Sequence, residues 1–268
     1  MCDGGGSIPG RAGDRAVRVA LFATCLVDLF RPTVGFAAAK LLQDAGCTVE
    51  VPIQTCCGQP AYNGGARALA QDIARQTIVA VEGYDYVVVP SGSCAGMIRR
   101  QYPLLLDGDA WHARAVAVAQ KTYELTAFLA DVLKVERVAA RSAGSAAYHD
   151  SCSSLRELGI KAQPRVLLER AGVELRELSA PDVCCGFGGA FCVKYPEISV
   201  AMADEKIADI ESTGAATVVA ADLGCLLHLA GRMKRQGKPI RARHVAELLA
   251  GMADGPAIGD RTPKAADR

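Results

Sequence analysis

Charge of one sign is what this sequence most plainly lacks. Lys plus Arg number 30 and Asp plus Glu 29 among 268 residues, so no bulk field draws the chain to nucleic acid or to an acidic membrane surface. Long apolar runs are missing as well. The longest candidates, Val87-Val88-Val89 and Val218 to Ala221, are strand-sized and fall far short of the roughly 20 residues that span a bilayer. Met1 to Ala16 is Gly-rich and polar, with no apolar core of signal-peptide length, so the expected location is cytoplasmic rather than exported. A dinucleotide fingerprint is also absent: Gly186-Phe187-Gly188-Gly189 and Gly64-Gly65 lack the spacing and the downstream acid, and read as turns. With neither a nicotinamide nor a flavin signature, hydride chemistry that needs an organic cofactor belongs outside this chain.

Cysteine, by contrast, is abundant, with eleven in the chain. Where no signal peptide leads to an oxidising compartment, thiols stay free, bind metal or do chemistry. Eight of the eleven fall into two copies of one pattern: Cys25, Cys56, Cys57, Cys94 and Cys152, Cys184, Cys185, Cys225. The intervals are 31 and 32 positions to each adjacent pair, then 37 and 40 positions beyond it. Each pair is followed by glycine, Gly58 or Gly186, whose missing side chain lets backbone approach a bulky ligand. Cys47 and Cys192 fit packing as small hydrophobes, and Cys2 is incidental.

The repeat extends to the elements around the cysteines. Val17 to Phe22 and Ala146 to His149 are strand-like runs ending just before Cys25 and Cys152. Helical patterns follow at Thr33 to Ala45 and at Pro164 to Ala171, the second with proline in a permitted first turn. Short strands, Thr48 to Ile53 and Glu174 to Leu178, lead into the Cys-Cys-Gly loops. Helices are expected over Ala66 to Val81 and Glu197 to Glu211, then buried strands over Tyr86 to Val89 and Thr217 to Ala220. Amphipathic helices, Glu124 to Ala130 and His244 to Ala250, close the halves. Alternating strands and helices imply parallel βαβ units, with ligand loops at the carboxyl ends of the strands. The expected fold is α/β, with two lobes related by a pseudo-twofold, each a parallel sheet flanked by helices. The expected boundaries are 17–140 and 141–252, divided near Arg137 to Gly144, with flexible tails at 1–16 and 253–268.

Four thiolates per lobe suit zinc or an iron–sulfur cluster. The spacing favours the cluster. Zinc sites usually pair cysteines a few residues apart so that one ion takes both, and these lobes lack such pairs. Adjacent side chains of an extended loop diverge, which suits a cluster that presents several metal corners.

The pattern resembles the CCG cysteine-rich domain found in heterodisulfide reductase and in the glycolate oxidase iron–sulfur subunit. More narrowly, the chain resembles the lactate utilization protein A family. The resemblance rests on Cys25-Leu26-Val27-Asp28, Gln54-Thr55-Cys56-Cys57-Gly58-Gln59-Pro60-Ala61-Tyr62-Asn63 and Pro90-Ser91-Gly92-Ser93-Cys94 in the first half. In the second half it rests on Tyr148-His149-Asp150-Ser151-Cys152, Leu155-Arg156-Glu157-Leu158-Gly159, Cys184-Cys185-Gly186-Phe187-Gly188-Gly189 and Lys194-Tyr195-Pro196-Glu197-Ile198-Ser199. It spans Val17 to Gly251. It implies an iron–sulfur electron-transfer component, a non-flavin subunit of a complex oxidising L-lactate to pyruvate. The implied companions are an iron–sulfur protein with ferredoxin-like motifs and a third small subunit. A zinc-stabilised scaffold and a heterodisulfide-reductase-like or glycolate-oxidase-like subunit are the alternatives. The heterodisulfide-reductase pattern closes with Cys-x-x-Cys, whereas this chain has Ser91-x-x-Cys94 and Asp222-x-x-Cys225. Four thiolates per lobe fit one or two 4Fe–4S clusters better than a five-thiolate cluster. Ser91 and Asp222 read as helix N-caps or as oxygen ligands.

A polar set lies near the second group: His149, Asp150, Arg156, Glu157 and Lys194. His149 reads as a proton donor or acceptor, or as a loop histidine bonded to backbone. Arg156 reads as a holder of cluster charge or of a substrate carboxylate, or as a surface ion pair. His149 and Arg156 are the candidate catalytic residues. The first half offers only Asp28, Arg31 and Asn63 in comparable places. His244 reads as a helix cap, and His112 and His228 carry no supporting constellation.

Overall fold

The computed structural model describes residues 16–138 and 144–260. Two four-stranded sheets, every strand parallel to its neighbours, carry the fold. In the first, β1 (Arg18–Leu21), β2 (Thr48–Glu50), β3 (Tyr86–Val89) and β4 (Thr122–Glu124) lie in the order β2-β1-β3-β4. In the second, β5 (Ser145–Tyr148), β6 (Glu174–Arg176), β7 (Thr217–Ala220) and β8 (Arg241–His244) lie in the order β6-β5-β7-β8. The doubled α/β architecture expected from the cysteine repeat is therefore the one observed. The fourth strand of each sheet goes beyond that expectation. The expected division near Arg137 to Gly144 falls mostly on residues 139–143, which lie outside the described residues, as do 1–15 and 261–268 of the expected tails. Part of the other tail is packed: Ala257 and Ile258 are buried, and the Ile258 N–H donates to the Ala242 carbonyl at 3.0 Å.

The central strands form because their residues suit a sheet covered on both faces. Val87, Val88 and Val89 are all fully buried, as β-branched runs in parallel sheets generally are. Helix Pro32–Asp44 begins with proline in its first turn and buries Val34, Ala37, Ala38, Leu41 and Leu42, a single stripe at helical spacing. Helix Arg67–Val81 buries Ala70, Ala74, Thr77, Ile78 and Val81 in the same way.

The lobes exchange their closing helices. Helix Val245–Leu249, which ends the second lobe, packs on Pro32–Asp44 of the first. The π-helical turn Phe128–Val132, which ends the first, packs on Ala162–Arg170 of the second. One apolar core consequently runs through both lobes, joining Leu21, Val34 and Phe128 to Leu167, Leu226 and Leu249. A second cluster, including Phe22, Ile78, Met97 and Tyr102, fills the far side of the first sheet. Buried Glu247 fixes the junction, accepting from Arg31 Nε at 2.7 Å and from Thr33 Oγ1 at 2.5 Å. At the same boundary a Cβ on Gly92 would stand 1.9 Å from Ser154 Oγ, so only glycine lets the lobes come this close there. No helix among the described residues is long and apolar enough to cross a membrane.

Candidate functional site

The cysteines occupy the loops and first helical turns that follow the strands. Cys25 opens helix Cys25–Phe30 after β1, and Cys94 lies in helix Gly92–Gly96 after β3. Cys225 lies in the first turn of Leu223–Arg235 after β7, and Cys152 precedes the π-helical turn Ser153–Glu157 after β5. The adjacent pairs come from the loops after β2 and β6. Both pairs end on a glycine at φ 83, a left-handed conformation that disfavours any side chain. A buried hydroxyl grips each loop: Tyr102 donates to the Cys57 carbonyl at 2.9 Å, and Ser199 Oγ to the Gly186 carbonyl at 2.7 Å. Thr24, just before Cys25, has φ 64 and ψ 147. That is a costly conformation for a β-branched residue, and its Oγ1 accepts from Val27 N–H.

The structure brings the eight predicted cysteines together as two groups of four. Side chains touch in the order Cys25, Cys56, Cys57, Cys94, with Cys57 Sγ and Cys94 Sγ 3.3 Å apart. The order Cys152, Cys184, Cys185, Cys225 repeats this in the second lobe. In each group the last two are buried and the first two partly exposed, so the sulfurs line the floor and mouth of a recess. All of them are free thiols.

Without a cation, four sulfurs in contact divide their protons unequally. The thiols of Cys25 and Cys57 donate to Cys56 and draw it far below the usual thiol range, to about 2, against the cost of burial. Those same contacts push Cys25 and Cys57 up. In the second lobe, Cys184 is drawn down to about 2 by the thiols of Cys152 and Cys185, while both neighbours are pushed up. Contact with Cys185 draws Cys225 down, but burial together with the negative charges of Asp222 and Cys184 outweighs it and the net shift is upward. Each further ionisation is opposed by the thiolate already present. A bound metal cation reverses that balance and favours deprotonation throughout. Soft donors, convergent and half-buried, fit a thiolate-held metal or iron–sulfur group.

The two recesses have different walls. The first opens to a cavity of about 430 Å³ lined by Cys25 and Cys56 with Leu29, Val51, Pro52 and Ile53, and with Asp28 its one charged residue. Leu29 and Ile53 are 72% and 98% exposed, so this mouth has an apolar rim facing solvent. The second recess opens to a cavity of about 230 Å³ between the lobes. There Cys152, Cys184, Cys185 and Cys225 meet Gln59, Tyr62, Asn63 and Gln101 from the first lobe.

Ser91 and Asp222 both stand at helix N-termini, as expected. Ser91 Oγ accepts from Cys94 N–H at 3.4 Å and donates to Asp222 Oδ2 at 3.3 Å. Asp222 makes no cap bond to its own helix; it accepts instead from Ser93 N–H of the other lobe at 2.9 Å. Asp150 is held by a two-pronged contact with Arg165 at 2.9 and 2.7 Å. Arg156 is exposed and donates to the Asp182 carbonyl at 2.5 Å, and Lys194 is exposed. Arg31 bonds Glu247 of the other lobe rather than facing a recess. His244 caps its helix, its Nδ1 accepting from Ala246 N–H at 3.2 Å. Cys47 is buried in the shared core, its thiol pushed up to about 11 by burial, and Cys192 Sγ contacts the Gly189 carbonyl.

His149 is fully buried, and neither ring nitrogen has a hydrogen-bond partner. Burial, reinforced by nearby Lys206, holds its pKa down at about 4, so the ring is neutral. One of its ring nitrogens and the Sγ atoms of Cys185 and Cys225 lie within 4.8 Å of one another. Lys206, fully buried in helix Pro196–Ser212, donates to the Ala180 carbonyl at 2.6 Å. His228 bonds Ser199 Oγ at 3.2 Å beside the second Cys-Cys-Gly loop. Sequence reasoning missed both. A histidine one helical turn beyond Cys225 was a usable signal; a lysine on an amphipathic helix gave none.

A family model described as the CCG cysteine-rich domain matches the chain twice, over residues 19–99 and 146–230. The chain is 52% identical over 236 residues to the lactate utilization protein A of Geobacillus kaustophilus, covering 87% of this chain and 98% of that one. To the protein of the same name from Halalkalibacterium halodurans it is 47% identical over 235 residues, covering 87% and 96%. A solved structure of a hypothetical protein from Helicobacter pylori superposes with a TM-score of 0.63 at 12% identity, over 93% of this chain and 50% of that one. That last likeness is one of fold alone, and the chain spans half the length of that protein.

Proposed function

The chain belongs to the lactate utilization protein A family, and from that membership we propose that it is the iron–sulfur, electron-carrying component of a multi-subunit system oxidising L-lactate to pyruvate. The observation that carries the proposal is the repetition of four convergent, half-buried sulfurs in each lobe. Cys25, Cys56, Cys57 and Cys94 would hold one 4Fe–4S cluster, and Cys152, Cys184, Cys185 and Cys225 another. Such a group, when bound, supplies one-electron transfer at a potential set by charge, hydrogen bonds and exposure around it.

The chain's own residues divide the remaining work. Cys56 and Cys184, the thiols drawn down in each group by their neighbours, offer the first negative donors. Tyr102 and Ser199 hold the Cys-Cys-Gly loops by their carbonyls, with the adjacent sulfurs in contact rather than diverging as an extended loop would place them. The apolar rim of Leu29, Val51 and Ile53 fits a protein partner, since exposed apolar patches mark contact surfaces; that partner is the companion iron–sulfur protein with ferredoxin-like motifs. A third small subunit completes the system. The inter-lobe cavity counts Glu157 and Asp222 among its lining residues and no cation, a poor place for a lactate carboxylate. Hydride or proton removal from lactate is therefore assigned to a companion. His149 is sealed from solvent and Arg156 lies off the cavity lining, so neither is assigned contact with lactate.

Anaerobic purification followed by iron, acid-labile sulfide and zinc quantitation tests the proposal. Iron and sulfide in comparable amounts, with lactate-dependent electron flow only when companions are added, are expected. Stoichiometric zinc without sulfide after reconstitution would overturn it.

A further inference from the structure

The two lobes match residue for residue around their sulfur groups, and the mismatches are informative. The residue after β1 is Phe22, whose N–H donates to the Val88 carbonyl at 2.9 Å; the residue after β5 is His149, whose N–H donates to the Val219 carbonyl at 2.8 Å. Both side chains are fully buried. A phenyl ring satisfies this place in the first lobe, so the fold itself asks for nothing polar there. The long helices can be aligned through the shared geometry of the Cys-Cys-Gly loops. A Cβ on Gly58 would meet Ile73 and the Ala70 carbonyl, and one on Gly186 would meet Met202 and the Ser199 carbonyl. Ala70 thus corresponds to Ser199, and Thr77 to Lys206. The second lobe has exchanged a phenyl ring for an imidazole and a hydroxyl for an ammonium, both beside the thiols.

An imidazole sealed from water with both nitrogens unbonded is rare, because buried polar atoms nearly always find partners. The surrounding protein offers His149 little to bond. Lys206, the nearby charged group, is a cation with donors only and is occupied by the Ala180 carbonyl and by Asp209 at 3.7 Å. Asp150 is taken by Arg165. What remains within reach are the sulfurs of Cys185 and Cys225, with which a His149 nitrogen forms a compact set of three donor atoms inside 4.8 Å. Donor atoms that share a metal at 2.0 to 2.3 Å stand at about this spacing or closer.

We propose that His149 is a nitrogen ligand of the metal centre in the second lobe, sharing it with Cys152, Cys184, Cys185 and Cys225, while the centre in the first lobe is held by thiolates alone. The proposal rests on the assignment of the cysteine groups as iron–sulfur sites. It adds a fifth donor from the strand end rather than from the Asp222 position, where the related Cys-x-x-Cys pattern would place one. Both centres then carry four thiolates, and the added imidazole is neutral; the charge that differs between them is that of Lys206, which stands where the first lobe has Thr77 and favours the reduced state of the second centre.

The test uses full-length protein reconstituted anaerobically with iron and sulfide, carrying Cys57→Ser so that only the second centre reports. Pulsed EPR of the paramagnetic state is recorded on protein made with unlabelled and with nitrogen-15 histidine. A strong nitrogen hyperfine coupling of directly bound imidazole, altered by the label, retained in His228→Gln and lost in His149→Phe, is expected. Iron and sulfide bound normally with no histidine coupling, or with only the weak coupling of a hydrogen-bonded ring, overturns the proposal and leaves the cluster assignment standing. Loss of the coupling in His228→Gln instead of His149→Phe overturns it too. Protein that takes up neither iron nor sulfide sinks the cluster assignment and the proposal with it. If His149→Phe does not fold, the labelled parent and His228→Gln still decide.

Discussion

Asp222 Oδ2, in the second lobe, accepts from the Ser93 N–H at 2.9 Å and from the Ser91 hydroxyl at 3.3 Å, both in the first. Ser91 and Asp222 are the residues that replace the first cysteine of the closing Cys-x-x-Cys pattern in the two halves. Neither points freely at a sulfur group; together they tie the lobes. Asp222→Ala leaves a backbone N–H and a hydroxyl without their acceptor in a buried place. A loss of about 1–3 kcal/mol is expected, read by denaturant unfolding, with iron content unchanged. Iron falling by half in this variant would show that Asp222 is a ligand.

The sulfur contacts of Cys56 and of Cys184 are with cysteines of their own lobe, so the two sites are separable. Cys56→Ser and Cys185→Ser are each expected to remove about half of the bound iron and sulfide, with the other lobe still folded by circular dichroism. Cys47→Ser, far from either recess in the shared core, should leave metal content unchanged.

Glu124 gives the protein a pH dependence of defined sign. Burial raises its pKa from 4.5 to about 7; Oε2 accepts from Thr126 and Ala127, while Oε1 has no hydrogen-bond partner. Between those values the folded chain keeps a proton that the unfolded chain releases. Its contribution to stability is therefore fully present below pH 4.5 and is lost as pH rises to about 7, by on the order of 3 kcal/mol. Glu124→Gln should flatten that slope in unfolding curves taken across the range; an unchanged slope would show that the carboxyl is ionised in the fold.

The rim of the first recess predicts partner dependence. Ile53→Glu places a charge at a side chain that is 98% exposed and so should not affect folding or iron. It is expected to weaken electron delivery between this chain and its iron–sulfur companion by about tenfold, equivalent to 1.4 kcal/mol. Equal transfer rates in wild type and variant would place the contact elsewhere.

Much of this was legible in the sequence because cysteine spacing and strand periodicity are local signals. Tyr86–Val89 and Thr217–Ala220 are strands with the very bounds read from their β-branched runs. The fourth strands, Thr122–Glu124 and Arg241–His244, escaped notice for a physical reason. Each is short and ends in the polar cap of the following helix, and Arg241 and Arg243 do not read as sheet residues. Arg243 is nonetheless buried, its guanidinium bonded to the Pro256 carbonyl at 3.0 Å. Amphipathic patterns announced that the closing helices bury one face, but not that the face belongs to the opposite lobe. The isolation of His149 was equally hidden, because a missing partner is a property of the surroundings and not of the residue.

The exchange of closing helices makes the contact between lobes the kind that two identical subunits make about a dyad, each patch meeting its own equivalent. In a homodimer of that form, the residue nearest the axis must face a copy of itself. Two aspartates there would repel, and two serines would leave the Ser93 N–H without the carboxylate that now accepts from it. A single chain removes that restriction: Ser91 and Asp222 sit at matching places and differ, so a donor faces an acceptor. The same release lets Phe22 and His149 differ, and with them the two centres. Joining the halves in one polypeptide is what allows a symmetric scaffold to hold an asymmetric pair of cysteine sites.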